Sequence, residues 1–146
     1  MSNYYPPVGF HFRVNLDGIT GTENDSKFQS VSGLNVEFET ESIKEGGENR
    51  FEHVLPLRSK YPNLVLKRGL FVGSELIDWC LNAFNNLEIL PSDLVVSLLN
   101  GEHEPLKTWK IKNAWPLKWS VSDMSAEENK LMVETIELRY QYFTVE

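Results

Sequence analysis

WKIKNAWPLKW, residues 109–119, places Trp109, Ile111, Trp115, Leu117 and Trp119 on every odd position but one, with Lys110, Lys112 and Lys118 on even ones. The stretch holds three of the chain's four tryptophans. Successive side chains of a β-strand point to opposite faces, so this alternation predicts a strand with one buried and one wet side. A helix would scatter the lysines among the tryptophans. Two uses of such a strand stay open at this point: stacking platforms beside phosphate contacts for single-stranded nucleic acid, or the core side of a structural barrel. Core packing on the odd face is favoured, which makes Trp109, Trp115 and Trp119 the candidate core aromatics.

Outward from this strand the chain remains extended. Residues 93–99 form an apolar strand, the Asn100-Gly101 turn reverses it, and residues 106–113 return as its hairpin partner. Pro116 cannot donate to a ladder, so residues 115–121 should bend or lie at an edge. Phe10, Phe12, Val14 and Leu16 alternate with polar residues as another half-buried strand. Residues 17–27 read as a loop, and residues 28–40 as extended structure with a bend or bulge at Ser32-Gly33, where a side chain would not fit. Residues 42–56, around Glu45-Gly46-Gly47-Glu48-Asn49, read as a glycine-bearing turn or long loop between extended arms. Leu64, Val65 and Leu66 make a short strand. Residues 130–144 read as one long extended run with Met132, Ile136, Leu138, Tyr140 and Tyr142 facing one way. Residues 123–129 connect.

One segment has a different period. Leu76, Ile77, Cys80, Leu81 and Phe84 recur at helical spacing, Ser74 is placed to cap, and Glu75 and Asp78 favour the positive helix end. The spacing predicts a helix over residues 75–85. Roughly eight strands and one helix give a mainly β, α+β fold: two packed antiparallel sheets forming a small barrel-like sandwich with one flanking helix.

Composition bounds the function. At 146 residues a single domain over residues 1–146 is expected. With 41% hydrophobic and 24% charged residues, no run approaches the roughly 20 apolar residues a spanning helix needs, so membrane insertion by this chain is not expected. The N-terminus lacks the basic start and apolar run of a secretory signal, which points to synthesis in the cytoplasm. Cys80 is the only cysteine, excluding an internal disulfide and any multi-cysteine zinc site. The formal charge of −7 opposes binding to polyanions, which draws most of its affinity from neutralised phosphates.

No catalytic, metal or cofactor site emerges. Glu37, Glu39 and Glu41 share a strand face, but same-face neighbours sit about 6.5–7 Å apart, too far for one compact site; a solvated or subunit-facing surface is favoured. His11, His53 and His103 are isolated from one another. Cys80 lies on the apolar helix face, where a free cysteine is a small hydrophobe. Lys67-Arg68 reads as a solvated strand end.

The order of segments carries a resemblance. FHFRV (10–14), FQSVSGL (28–34), KEGG (44–47), LP (55–56), YPNLVLKRG (61–69), Trp109 with NAWPLKW (113–119), and AEEN (126–129) before ETIEL (134–138) resemble the tail-tube protein family of contractile phages, which also supplies the inner tubes of phage-tail-like injection particles. The resemblance implies a structural protein without catalysis. Six copies would close into a ring, rings would stack into a hollow tube inside a contractile sheath, and one sheet of each subunit would join its neighbours around the lumen. It implies as partners further copies of the chain, adjacent tube or tube-initiator rings, the baseplate hub and the sheath, with cargo in the lumen. Such a particle is assembled in the bacterium and either released or membrane-anchored. The loop at residues 42–57, with Glu45, Gly46, Gly47 and Arg50, is then the candidate for contacts between stacked rings. Two departures, a long connection at residues 17–27 and the ending Arg139-Tyr-Gln-Tyr-Phe143, resemble the tube-initiating paralogue beside the baseplate. A like-charged wall would discourage anionic cargo from sticking. The alternative from another class is a monomeric β-barrel binding a small ligand or single-stranded nucleic acid; an enzyme using the Glu37–Glu41 face is a more distant third.

Overall fold

The computed structural model describes residues 11–17, 26–43, 46–47, 52–70, 73–102, 104–122 and 132–146. Its strands are β1 (His11–Leu16), β2 (Lys27–Phe28), β3 (Ser30–Ser32), β4 (Glu37–Ile43), β5 (His53–Lys60) and β6 (Leu64–Gly69), followed by helix α1 (Glu75–Asn86). Then come β7 (Ser92–Leu99), β8 (Pro105–Val121), β9 (Val133–Arg139) and β10 (Tyr142–Val145). All pairings are antiparallel.

Strand β8, which contains the tryptophan stretch, belongs to two sheets. Its first half lies between β7 and β10 in a sheet ordered β2-β1-β7-β8-β10, and its second half pairs with β9 in a sheet ordered β8-β9-β6-β3. A second corner is made by residues 27–32. Phe28 pairs with Phe12 of β1, the Gln29 N–H donates to the Lys67 carbonyl, and Val31 pairs with Leu66 of β6. The expected two-sheet sandwich with one flanking helix is therefore present, its sheets joined at two corners without a closed barrel. Val14, Leu94, Val96 and Ile111 of one sheet and Leu64, Leu66, Ile136 and Leu138 of the other fill the space between them.

The tryptophan strand does not keep one parity. Between the pairs Leu94–Ile111 and Ser92–Ala114, β8 carries one extra residue, and between Pro116–Leu138 and Lys118–Glu137 it carries another. At the first bulge Asn113 takes a left-handed φ of 52°. Its N–H and its side-chain amide are held by Asp93 Oδ1 at 3.1 Å and Gln141 Oε1 at 2.9 Å. Each bulge turns the following residues over. The buried positions accordingly pass from Ile111 to Ala114 and Pro116, and Leu117, expected on the packed face, is exposed. The bend expected at Pro116 is real, and it is what carries β8 from one sheet to the other.

Helix α1 starts as read. Ser74 Oγ accepts the Ile77 N–H at 3.0 Å, and Leu76, Ile77, Cys80 and Ala83 are buried. Phe84, placed by its spacing on the packed face, is exposed instead. The run at residues 130–144 also divides: Tyr140 and Gln141 break it, and β10 crosses to pair with β8, burying Phe143 rather than Tyr142.

Cys80 has no access to water, and burial, reinforced by the nearby Glu134 charge and opposed by Arg68, pushes its thiol up to about 12. Only the unfolded chain then ionises at moderate alkaline pH. The contribution of this group to stability is full below the ordinary thiol range near 9 and is lost as pH rises towards about 12. A thiol reagent at pH 8 should leave the native protein unmodified and titrate one thiol in denaturant; rapid native modification would contradict this burial.

Candidate functional site

Among the described residues, β4 and β5 pair only with each other, forming a two-stranded sheet that joins neither sheet of the body. Every residue of both strands is exposed. Residues 42–56, expected as a glycine-bearing turn or long loop between extended arms, continue the ladder as far as the Ile43–His53 pair. One face presents Phe38, Thr40 and Ser42 against Ser59, Pro56 and Val54; the other presents Glu37, Glu41 and Ile43 against Lys60, Leu55 and His53. Between these, Glu39 faces two residues, Leu57 and Arg58, in a bulge that sharpens the local twist. Arg58 Nε lies 3.5 Å from Glu39 Oε2, a solvent-exposed pair worth little by itself. Phe38 (63% exposed), Val54 (57%) and Leu57 (54%) lie in water on this arm.

A lone hairpin is marginally stable in water, and an apolar strand with an open edge is a template for another chain. The arm therefore has the chemistry of an assembly surface. Of the candidate ring-stacking residues, Gly46 and Gly47 are exposed at its tip, and Gly47 takes a φ of +96° with open space around it. Glu45 and Arg50 lie outside the described residues. Glu37, Glu39 and Glu41 are exposed on β4, and no group of three or more metal-binding side chains occurs among the described residues.

Trp109 and Trp119 are half-buried and pack against the core, while Trp115 is half-buried at the bend. Two of the interleaved lysines are engaged: Lys110 Nζ lies 2.6 Å from Glu146 Oε1 and Lys112 Nζ 3.1 Å from Asp93 Oδ2. The Asn113 N–H and the Lys112 ammonium hold the Asp93 carboxyl below the usual carboxylate range, and Asp93 in turn raises Lys112. A row in which two of three lysines are already matched to carboxylates is a poor phosphate track.

Sequence reasoning missed a buried polar cluster. Arg68 and Glu134, 3% and 1% exposed, are cross-strand partners on β6 and β9. Arg68 Nε donates to Glu134 Oε2 at 2.9 Å and Arg68 Nη2 to Ser74 Oγ at 2.9 Å, while Trp119 Nε1 donates to Glu134 Oε1 at 2.9 Å. The guanidinium also sits 4.6 Å from the Phe28 ring centre. Arg68 is thus no solvated strand end. Its group ties the helix cap, β8, β9 and the residue 27–32 corner together. The signal lay in parity, since Leu64, Leu66 and Arg68 share one row and Glu134, Ile136 and Leu138 another. A charge at the end of a buried row needs a partner.

The family model for T4-like virus tail tube protein gp19 matches residues 8–144 of this chain. The chain belongs to that tail tube family. No curated protein matches it by sequence. This tail tube protein is similar to a chain in the cryo-EM structure of the anti-feeding prophage baseplate, symmetrised sixfold, at 28% identity and a TM-score of 0.79 over 100% of this chain and 97% of that one. It is also similar to a chain in the sheath/tube terminator of the PVC extracellular contractile injection system in its extended state. There the identity is 30% and the TM-score 0.75, over 99% of each chain. Hcp1 from Salmonella typhimurium shares the fold alone, at 17% identity and a TM-score of 0.58 over 95% of this chain and 87% of that one. Membership of the tail tube family and likeness to injection-particle components make the chain a tube-type structural subunit of a phage tail or an extracellular contractile injection particle.

Proposed function

We propose that six copies of this tail tube protein close into a ring through the β4–β5 arm, and that rings stack into a conduit, this one adjoining the baseplate. The carrying observation is the arm, two exposed strands with apolar side chains on both faces that, among the described residues, pair only with each other. Each subunit's open edges would be covered by its neighbours, as ring closure requires. The sixfold symmetrisation of the similar baseplate structure supports the copy number. The segment of sequence between β4 and β5, which contains Glu45, Gly46, Gly47 and Arg50, makes the contacts to the adjacent ring. The tryptophans Trp109, Trp115 and Trp119 serve packing. The subunit works by contact, without catalysis or cofactor. It is made in the bacterial cytoplasm and meets tube rings, baseplate hub and sheath there, before the particle is released or anchored.

The double variant Phe38→Glu/Leu55→Glu tests the arm. Both side chains are exposed in the isolated subunit, so unfolding free energy should change by no more than about 0.5 kcal/mol per site. Sedimentation should show rings in the parent protein and only monomer in the variant. Unimpaired ring formation by the folded variant would remove the arm from the interface.

A further inference from the structure

Asn100-Gly101, which turns β7 into β8, is the one place in the chain where asparagine precedes glycine. Its carboxamide is held by the main chain that it helps to turn. Asn100 Oδ1 accepts the backbone N–H of Glu102 at 2.9 Å and that of Glu104 at 2.9 Å, while the Asn100 N–H donates to the Glu104 carbonyl at 3.0 Å. Two donors facing one atom identify it as the oxygen and engage both of its lone pairs. Asn100 Cγ is therefore polarised as in an oxyanion hole, with donors already standing where negative charge develops when a nucleophile adds to that carbon. A nucleophile is at hand. The Gly101 backbone nitrogen closes a five-membered ring when it bonds to Asn100 Cγ, and Gly101 is exposed and carries no side chain to shield it.

We propose that Asn100 is a self-modification site, at which the folded subunit converts its own carboxamide into a carboxylate with water as the only reactant consumed. Hydroxide removes the Gly101 N–H proton, and the nitrogen attacks Asn100 Cγ, pushing the carbonyl electron pair onto Oδ1. As that pair returns, the Cγ–Nδ2 bond breaks and the amide nitrogen leaves with a proton from water as ammonia, which restores the hydroxide. Water then opens the cyclic imide. Addition at Cγ gives aspartate; addition at the main-chain carbonyl gives the isomer whose backbone runs through the side-chain carboxyl. The aspartate keeps both N–H bonds, now charge-assisted, so the turn is retained. The Glu102 and Glu104 side chains are exposed and screened, and oppose the added charge only weakly. The isomer inserts an extra backbone atom beside the Leu99–Pro105 pair, where the hairpin closes. Each conversion adds one negative charge to the chain's −7. The reaction needs neither the arm nor ring formation.

Mass spectrometry of the intact protein, incubated at pH 8 natively and in urea, follows the reaction as a gain of about 1 Da per chain. Trypsin cuts after Arg68 and Lys107 and releases residues 69–107 as one peptide, whose fragments assign the gain to Asn100. The native protein should react at least as fast as the unfolded one, because only the folded turn holds both donors on Oδ1. Gly101→Ala should slow the native reaction by about tenfold or more, since a Cβ at residue 101 crowds the attacking nitrogen. Asn100→Asp, the chief product made directly, should fold with an unchanged thermal midpoint. A gain confined to the urea sample, a native rate below the unfolded one, or an equal rate in Gly101→Ala would each overturn the proposal. Loss of the fold in Asn100→Asp would contradict the retained turn.

Discussion

Glu134→Ala should lower the unfolding free energy by about 3–5 kcal/mol, the largest loss expected from a single truncation in this chain. The Glu134 carboxylate takes Arg68 Nε on one oxygen and Trp119 Nε1 on the other. Removing it leaves a guanidinium 3% exposed to water without its counter-charge and an indole N–H without its acceptor. The damage should spread, because Arg68 also holds Ser74 Oγ, which caps helix α1. The pair need not be stabilising relative to an apolar one, since desolvating two ions offsets much of their attraction. Arg68→Met/Glu134→Leu should therefore recover most of the loss, although Trp119 would still lack its acceptor. Urea denaturation of the parent protein, Glu134→Ala and the double variant checks this. A loss below about 1 kcal/mol for Glu134→Ala would mean that the cluster is not buried as described.

Gly33→Ala should cost about 3 kcal/mol or more, for two reasons that add. Gly33 has a φ of +95°, and a Cβ built there would stand 2.1 Å from the Asn63 carbonyl oxygen and 3.3 Å from Leu64 Cα. Both obstacles are backbone and cannot swing aside. Residues 33 and 63–64 would have to separate, pulling β3 away from β6 at the corner that joins the sheets. Gly47→Ala is the control: its φ is +96°, but no atom of the described residues lies within 4 Å of the added carbon. That variant should lose only the backbone strain of roughly 1 kcal/mol. Similar midpoints for the two variants in urea would show that the close approach of Asn63 is not there.

Much of this architecture was legible because period-2 patterns report local facing. β1 and β7 follow their apolar patterns closely, helix α1 follows its spacing except at Phe84, and the glycine at Ser32-Gly33 marks a close backbone approach. What parity could not carry was a change of register. The bulges at Asn113 and Leu117 are set by a partner strand, so an alternation running from Trp109 to Trp119 looked unbroken while the strand turned over twice. Residues 42–56 read as a glycine-bearing turn or long loop between extended arms, and the ladder runs into that segment as far as the Ile43–His53 pair because neither strand has a buried face to mark its length. The Arg68–Glu134 pair breaks the usual rule that charge marks surface, and only its parity with Leu66 and Ile136 carries the signal of burial.

The central claim, that this tail tube protein is a ring-forming subunit, is most directly tested by electron microscopy of the purified protein across concentration, alone and co-expressed with the products of its neighbouring genes. Top views should show hollow rings with sixfold symmetry that stack in side view, lost in Phe38→Glu/Leu55→Glu. Monomer at every concentration and with every partner, or rings of another order, would contradict the account.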